Sequence, residues 1–166
     1  MKKILVVYYS WSNGNTEGIA KKLQAGLQAD IARLETVKPY TGGYDAVVQQ
    51  GQDEVNRGYK PELQPLEIDV REYDVIAVGT PTWWYTMAPA VASFLAANDW
   101  QGKMVIPFMT NGGWPGHVID DIKKACRGAV FAPAMQVKFD STGGSHMETP
   151  ETEVDVWIEC LQQNLK

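Results

Sequence analysis

The chain has 166 residues, 45% of them hydrophobic and 21% charged. That is the size and composition of one globular domain with its own core, and it excludes a mainly disordered chain. Fifteen Lys and Arg against twenty Asp and Glu leave a net charge of −5, which excludes nucleic acid as the main partner because a phosphate backbone demands clustered cations.

Ile4-Leu5-Val6-Val7-Tyr8-Tyr9 is a continuous β-branched and aromatic run. It lacks the alternation of a half-exposed strand and reads as a strand buried on both faces, the mark of a parallel sheet. The run is too short for a signal-peptide core, no cleavage site follows it, and no stretch reaches the ~18 apolar residues of a membrane helix. The reading is a cytoplasmic protein without a membrane partner. After a polar turn, Ile19, Ala20, Leu23 and Leu27 recur at helical spacing.

The unit then repeats. Residues 31–37 form a plausible second strand, and Asp74-Val75-Ile76-Ala77-Val78-Gly79 a strong third, followed by a helix marked by Met87, Val91, Phe94 and Leu95. Met104 to Phe108 is a fourth strand, with a helix after it carrying Val118, Ile119, Ile122 and Cys126. Residues 130–139 hold a fifth strand with a break point at Pro133, and Val154, Trp157, Ile158, Leu161 and Leu165 mark the last helix. Alternating strands and helices predict an α/β fold, a three-layer doubly wound parallel sheet with right-handed crossovers. Residues 36–66, with Pro39, Pro61, Pro65 and four glycines, are irregular and insertion-like. Here the expectation is a short helix between long loops, in place of a regular crossover helix, all within a single domain over 1–166.

In such a fold ligands bind beyond the carboxyl ends of the strands. The loops after strands one, three and four therefore belong together. The first is Ser10-Trp11-Ser12-Asn13-Gly14-Asn15-Thr16. Hydroxyls, carboxamides and backbone amides at a helix N-terminus suit one anion. The loop has no Lys or Arg, and neither GxxxxGK[ST] nor GxGxxG is present, so a single phosphate monoester fits better than a triphosphate or a dinucleotide. The plain alternative is a polar turn with an N-cap.

The second loop is Gly79-Thr80-Pro81-Thr82-Trp83-Trp84-Tyr85. Three adjacent aromatics cannot all enter one core, and a flat conjugated ring is their natural partner. The third is Thr110-Asn111-Gly112-Gly113-Trp114-Pro115-Gly116, where paired glycines let the backbone approach a ligand. His117 reads as a surface or capping residue, Asp120 and Asp121 as charge in a helix's first turn, and Cys126 as inert core. Cys126 and Cys160 make no CxxC or metal-ligand set, so no metal site is expected.

Taken together the three loops resemble those of the flavodoxins. Residues 10–16 resemble the family's phosphate loop, Ser/Thr-x-Thr/Ser-Gly-x-Thr, with Asn13 as an extra residue between Ser12 and Gly14. Residues 79–84 resemble its aromatic flavin loop, and 110–113 the loop closing the other side of the ring. The resemblance implies a five-stranded sheet of order 2-1-3-4-5 and one non-covalent FMN. It places Ser10, Trp11, Ser12, Asn13, Gly14, Asn15 and Thr16 at the phosphate. Pro81, Thr82, Trp83, Trp84, Tyr85, Thr110, Asn111, Gly112, Gly113 and Gly116 fall around the ring. It implies an electron-transfer protein, shuttling electrons at low potential between redox partners that are basic where they meet this acidic chain, with no catalytic side chain of its own. The alternative is an NAD(P)H-dependent flavin or quinone reductase on the same fold. A response-regulator receiver would need acidic residues after strand one, where Tyr9-Ser10-Trp11 stand instead.

Overall fold

The computed structural model describes residues 2–166. Five helices and a mostly parallel sheet follow in chain order. They are β1 (Ile4–Tyr8), α1 (Asn15–Leu27), β2 (Asp30–Arg33), α2 (Tyr44–Arg57), β3 (Val75–Trp83), β4 (Thr86–Met87), α3 (Pro89–Ala96), β5 (Met104–Asn111), α4 (Val118–Ala125), β6 (Val130–Phe131), β7 (Met135–Lys138) and α5 (Glu151–Asn164). The sheet order is β2-β1-β3-β5-β6, with β7 continuing beside β5 beyond β6, and β4 forming an antiparallel hairpin with β3. Counting β6 and β7 as the one interrupted fifth strand, this is the expected 2-1-3-4-5 arrangement. The break falls at Ala132 to Ala134, around the Pro133 that lacks a ladder donor.

The strand period of two divides the side chains between two cores. Leu5, Val7, Ile76, Val78, Val105 and Met109 face α3 and α4, packing with Val91, Phe94 and Ile122. Val6, Tyr8, Val75, Ala77, Ile106 and Phe108 face α1 and α5, packing with Leu23, Trp157 and Leu161. Both faces are covered, which is why the strands read as unbroken apolar runs. Gly79 admits the Phe108 ring, since a Cβ there would lie 2.1 Å from Phe108 Cζ.

Residues 36–66 differ from expectation. The crossover helix α2 is regular and 14 residues long. The excursion closes on itself where Thr36 bridges Leu63, with Val37 N–H donating to the Glu62 carbonyl at 2.9 Å. The isolated prolines thus mark where the chain leaves and rejoins the body, while the helix pattern between them is continuous.

Several acids hold their protons more tightly in this fold than in an open chain. Burial pushes the Cys126 thiol from 9.0 up to about 12, and the hydrogen bond to Asp30 together with burial takes Tyr73 from 10.0 to about 12. Burial also raises Tyr9 and Tyr40. The unfolded chain releases these protons first, so it binds fewer protons than the folded one above pH 9, and stability falls as pH rises. The urea midpoint is expected to be level near pH 7–8 and to drop steadily from pH 9 to 11. A midpoint that stays level to pH 11 would contradict the assigned burial.

Candidate functional site

At the carboxyl ends of β1, β3 and β5 the chain leaves a cleft of about 350 Å³, a size typical of small-ligand sites. One end is the loop between β1 and α1. Gly14 caps the helix without a side-chain cap. Among the described residues the amides of Asn13, Asn15 and Thr16 donate to no protein acceptor, while Glu17 N–H reaches Ser10 Oγ at 3.4 Å. These free donors lie at the positive end of α1, a setting that suits an anion.

The side chains of this loop take other parts. Ser12 and Asn15 line the cleft, as does Trp11. Ser10 is buried beneath the loop, and its carbonyl accepts from Arg33 at 2.8 Å. The buried Thr16 hydroxyl shares a 2.8 Å hydrogen bond with Thr110 Oγ1 and ties α1 to β5. Asn13 donates its carboxamide to the Gly143 carbonyl, and Asn15 does so to Gly144 at 3.1 Å. Asn13, Gly14 and Thr16 therefore shape the loop, and none of the three lines the cleft.

The other end is aromatic. Pro81, Thr82, Trp83, Trp84 and Tyr85 line it. β3 runs on past the sheet and turns back into β4, with Trp83 opposite Thr86. The two turn residues, Trp84 at φ 51° and Tyr85 at φ 71°, are both left-handed. A two-residue hairpin demands that conformation to match strand twist, and bulky side chains pay for it in strain. Compensating contacts are present. Trp84 Nε1 donates to the Val48 carbonyl at 2.9 Å, and His117 N–H donates to the Tyr85 carbonyl at 2.8 Å. Trp83 is held edge-on by three rings, Tyr40 at 5.0 Å, Tyr9 at 5.9 Å and Trp11 at 6.4 Å between centroids. Such edge-to-face contacts favour one orientation of the ring.

Thr110, Asn111 and Gly112 form the facing wall with Trp114. Thr82 Oγ1 donates to the Thr110 carbonyl at 3.1 Å, and Gly113 N–H to Asn111 Oδ1 at 2.8 Å. Gly113 lies outside the cleft. So does Gly116, which instead lets the Tyr85 backbone pass, since a Cβ there would sit 2.2 Å from the Tyr85 carbonyl oxygen. Trp84, Tyr85 and Trp114 stay exposed at the rim.

Two further walls lie outside the three loops. One is the α2 face of Tyr44, Val47, Val48 and Gly51, and the other is Phe139 to Gly144. The Gly143-Gly144 pair in a Ser/Thr-rich stretch was the available signal. His117 is the exposed N-cap residue of α4, as expected. Its Nδ1 meets Asp121 Oδ2, which accepts in turn from Thr86 Oγ1 at 2.5 Å. Asp121 thus joins helix α4 to the aromatic hairpin besides placing charge in the helix's first turn.

Among the described residues no helix is long and apolar enough to cross a membrane. Comparison with known proteins follows the geometry. An NAD(P)H dehydrogenase (quinone) of Chromohalobacter salexigens is 33% identical over 118 residues, covering 63% of this chain and 53% of that protein. The chain spans about half the length of the curated relatives it matches. A Bacteroides eggerthii protein of known structure superposes with a TM-score of 0.77 at 25% identity, over 96% of this chain and 97% of that one. A Lactobacillus acidophilus flavoprotein solved in complex with FMN has the same fold, with a TM-score of 0.70 at 23% identity over 95% and 99% of the two chains. The family model described as Flavodoxin matches residues 3–160, and with that span the chain belongs to the flavodoxin family.

Proposed function

We propose that the chain binds one FMN and carries electrons at low potential between redox partner proteins. The observation that carries this reading is the cleft itself. It has free amides and no cation at one end, and a fixed aromatic wall at the other. The residues fit the group on both counts. A phosphate monoester takes amide donors at a helix N-terminus without a Lys or a metal. A flat ring takes the slot between residues 81–85 and 110–112.

FMN supplies the redox chemistry when bound. The chain binds and orients. Trp83 offers a surface already fixed by Tyr9, Trp11 and Tyr40, so little side-chain entropy is lost on binding. The exposed rim residues Trp84, Tyr85 and Trp114 leave one edge of the cleft open to a partner. The net charge of −5 disfavours anionic reduced flavin and steers the protein toward basic surfaces.

A second reading is an NAD(P)H-dependent quinone reductase, favoured by the similarity to NAD(P)H dehydrogenases (quinone). One experiment separates the two. Purified protein is loaded with FMN and mixed with NAD(P)H and a quinone, without a helper reductase. A carrier leaves NAD(P)H unoxidised and takes electrons only when a flavodoxin reductase is added. Steady turnover without one would establish the reductase, and failure to retain FMN at micromolar concentration would end both readings.

A further inference from the structure

Glu54 is a carboxylate in an unusual place. It lies on α2 at 4% exposure, one turn beyond Gly51, whose Cα faces the Trp83 ring closely enough that a Cβ would meet Cε3 at 3.0 Å. Both its oxygens accept hydrogen bonds. Tyr40 Oη donates to Oε1 at 2.6 Å and Gln50 Nε2 donates to Oε2 at 2.8 Å. Acceptance at both oxygens is the pattern of an ionised carboxylate. Among the described residues no Lys, Arg or His lies within ion-pair distance of it. Arg33 is engaged by Glu17, Glu35 and the Ser10 carbonyl. The ionisable groups facing this carboxylate are the phenols of Tyr40 and Tyr9, both held neutral by burial.

A buried charge without a counter-ion is costly to keep. Here it sits behind the ring wall, because Tyr40, which it grips, packs edge-on against Trp83 at 5.0 Å, and Trp83 lines the cleft. We infer that Glu54 is a positioning and potential-setting residue: through Tyr40 it holds Trp83 in place, and its charge opposes the reduction of a flavin bound in the cleft. This rests on the FMN reading above. A unit charge acting over a distance on the order of 10 Å, at an effective dielectric near 20, changes the relative affinity for the two redox states about tenfold.

The test measures the FMN dissociation constant of the whole protein in the oxidised and fully reduced states, and takes the ratio of reduced to oxidised. In Glu54→Gln the ratio is expected to fall about tenfold, an upward shift of about 30 mV in the two-electron potential. Removing one partner alone strands a buried hydroxyl, so the pair Tyr40→Phe with Glu54→Leu provides a variant in which both polar groups leave together and folding is better preserved. It carries the same expectation. Tyr40→Phe alone keeps the charge and is expected to hold the ratio within about twofold. Equal weakening of both redox states in the Glu54 variants would overturn the inference and leave a purely structural role. Loss of FMN binding by the unaltered protein would overturn the FMN reading, and the inference with it.

Discussion

Ser12→Asp is expected to weaken FMN binding about 100-fold, worth ~2.7 kcal/mol, while riboflavin binding changes less than about threefold. Ser12 lines the cleft beside the free amides of the α1 N-terminus and sits at φ 44°. Aspartate tolerates that left-handed conformation better than most residues. A carboxylate near the start of α1 also interacts favourably with the helix dipole, by roughly 0.3–1 kcal/mol. Fold stability should therefore hold or rise slightly in urea, while a doubly charged phosphate meets repulsion with no Lys or Arg in the loop to relieve it. Isothermal titration with the two flavins reads the difference directly. Parallel losses for FMN and riboflavin would place the phosphate elsewhere.

The second large effect is at Gly116. Alanine there should cost ~2–4 kcal/mol in urea unfolding and disturb the aromatic hairpin. Two penalties combine. The residue sits at φ 58°, which costs an alanine roughly 1 kcal/mol. The new methyl would also lie 2.2 Å from the Tyr85 carbonyl oxygen and 2.5 Å from Tyr85 Cα. Those are backbone atoms of a turn already in a strained conformation, so the hairpin must move. The same displacement breaks the 2.8 Å bond from His117 N–H to the Tyr85 carbonyl. Gly14→Ala is the matched control. Its φ is 72° but nothing lies within 4 Å of the added methyl, so only the conformational cost of roughly 1 kcal/mol applies. Equal destabilisation in the two variants would show that the Tyr85 contact carries no energy.

Both substitutions act on loops that were legible as unusual stretches, but for reasons of different origin. The loop of residues 10–16 announces its chemistry locally. Hydroxyls, carboxamides and a glycine between a buried strand and a helix are a local pattern that suits an anion. The role of Gly116 is not local. It exists because α4 begins beneath a hairpin contributed by residues about 30 positions earlier, and only the folded chain brings the two backbones together. His117 shows the same division. Asp121 stands at i+4, within reach on one helix, yet its second partner, Thr86, comes from β4.

The sequence by itself determined the alternation of strands and helices and the burial of both sheet faces. It also determined which three loops gather at the carboxyl end of the sheet. These follow from short-range patterns, namely periodicity, turn residues and runs of β-branched side chains. Tertiary structure alone decided what closes the cleft. Asn13 and Asn15 bond to Gly143 and Gly144, partners about 130 residues distant, and so tie the first loop to the far wall. Helix α2 brings Gly51 against Trp83 and buries Glu54 behind it. Such contacts depend on how separate elements dock, and a side chain's neighbours across that distance leave no mark in its local pattern.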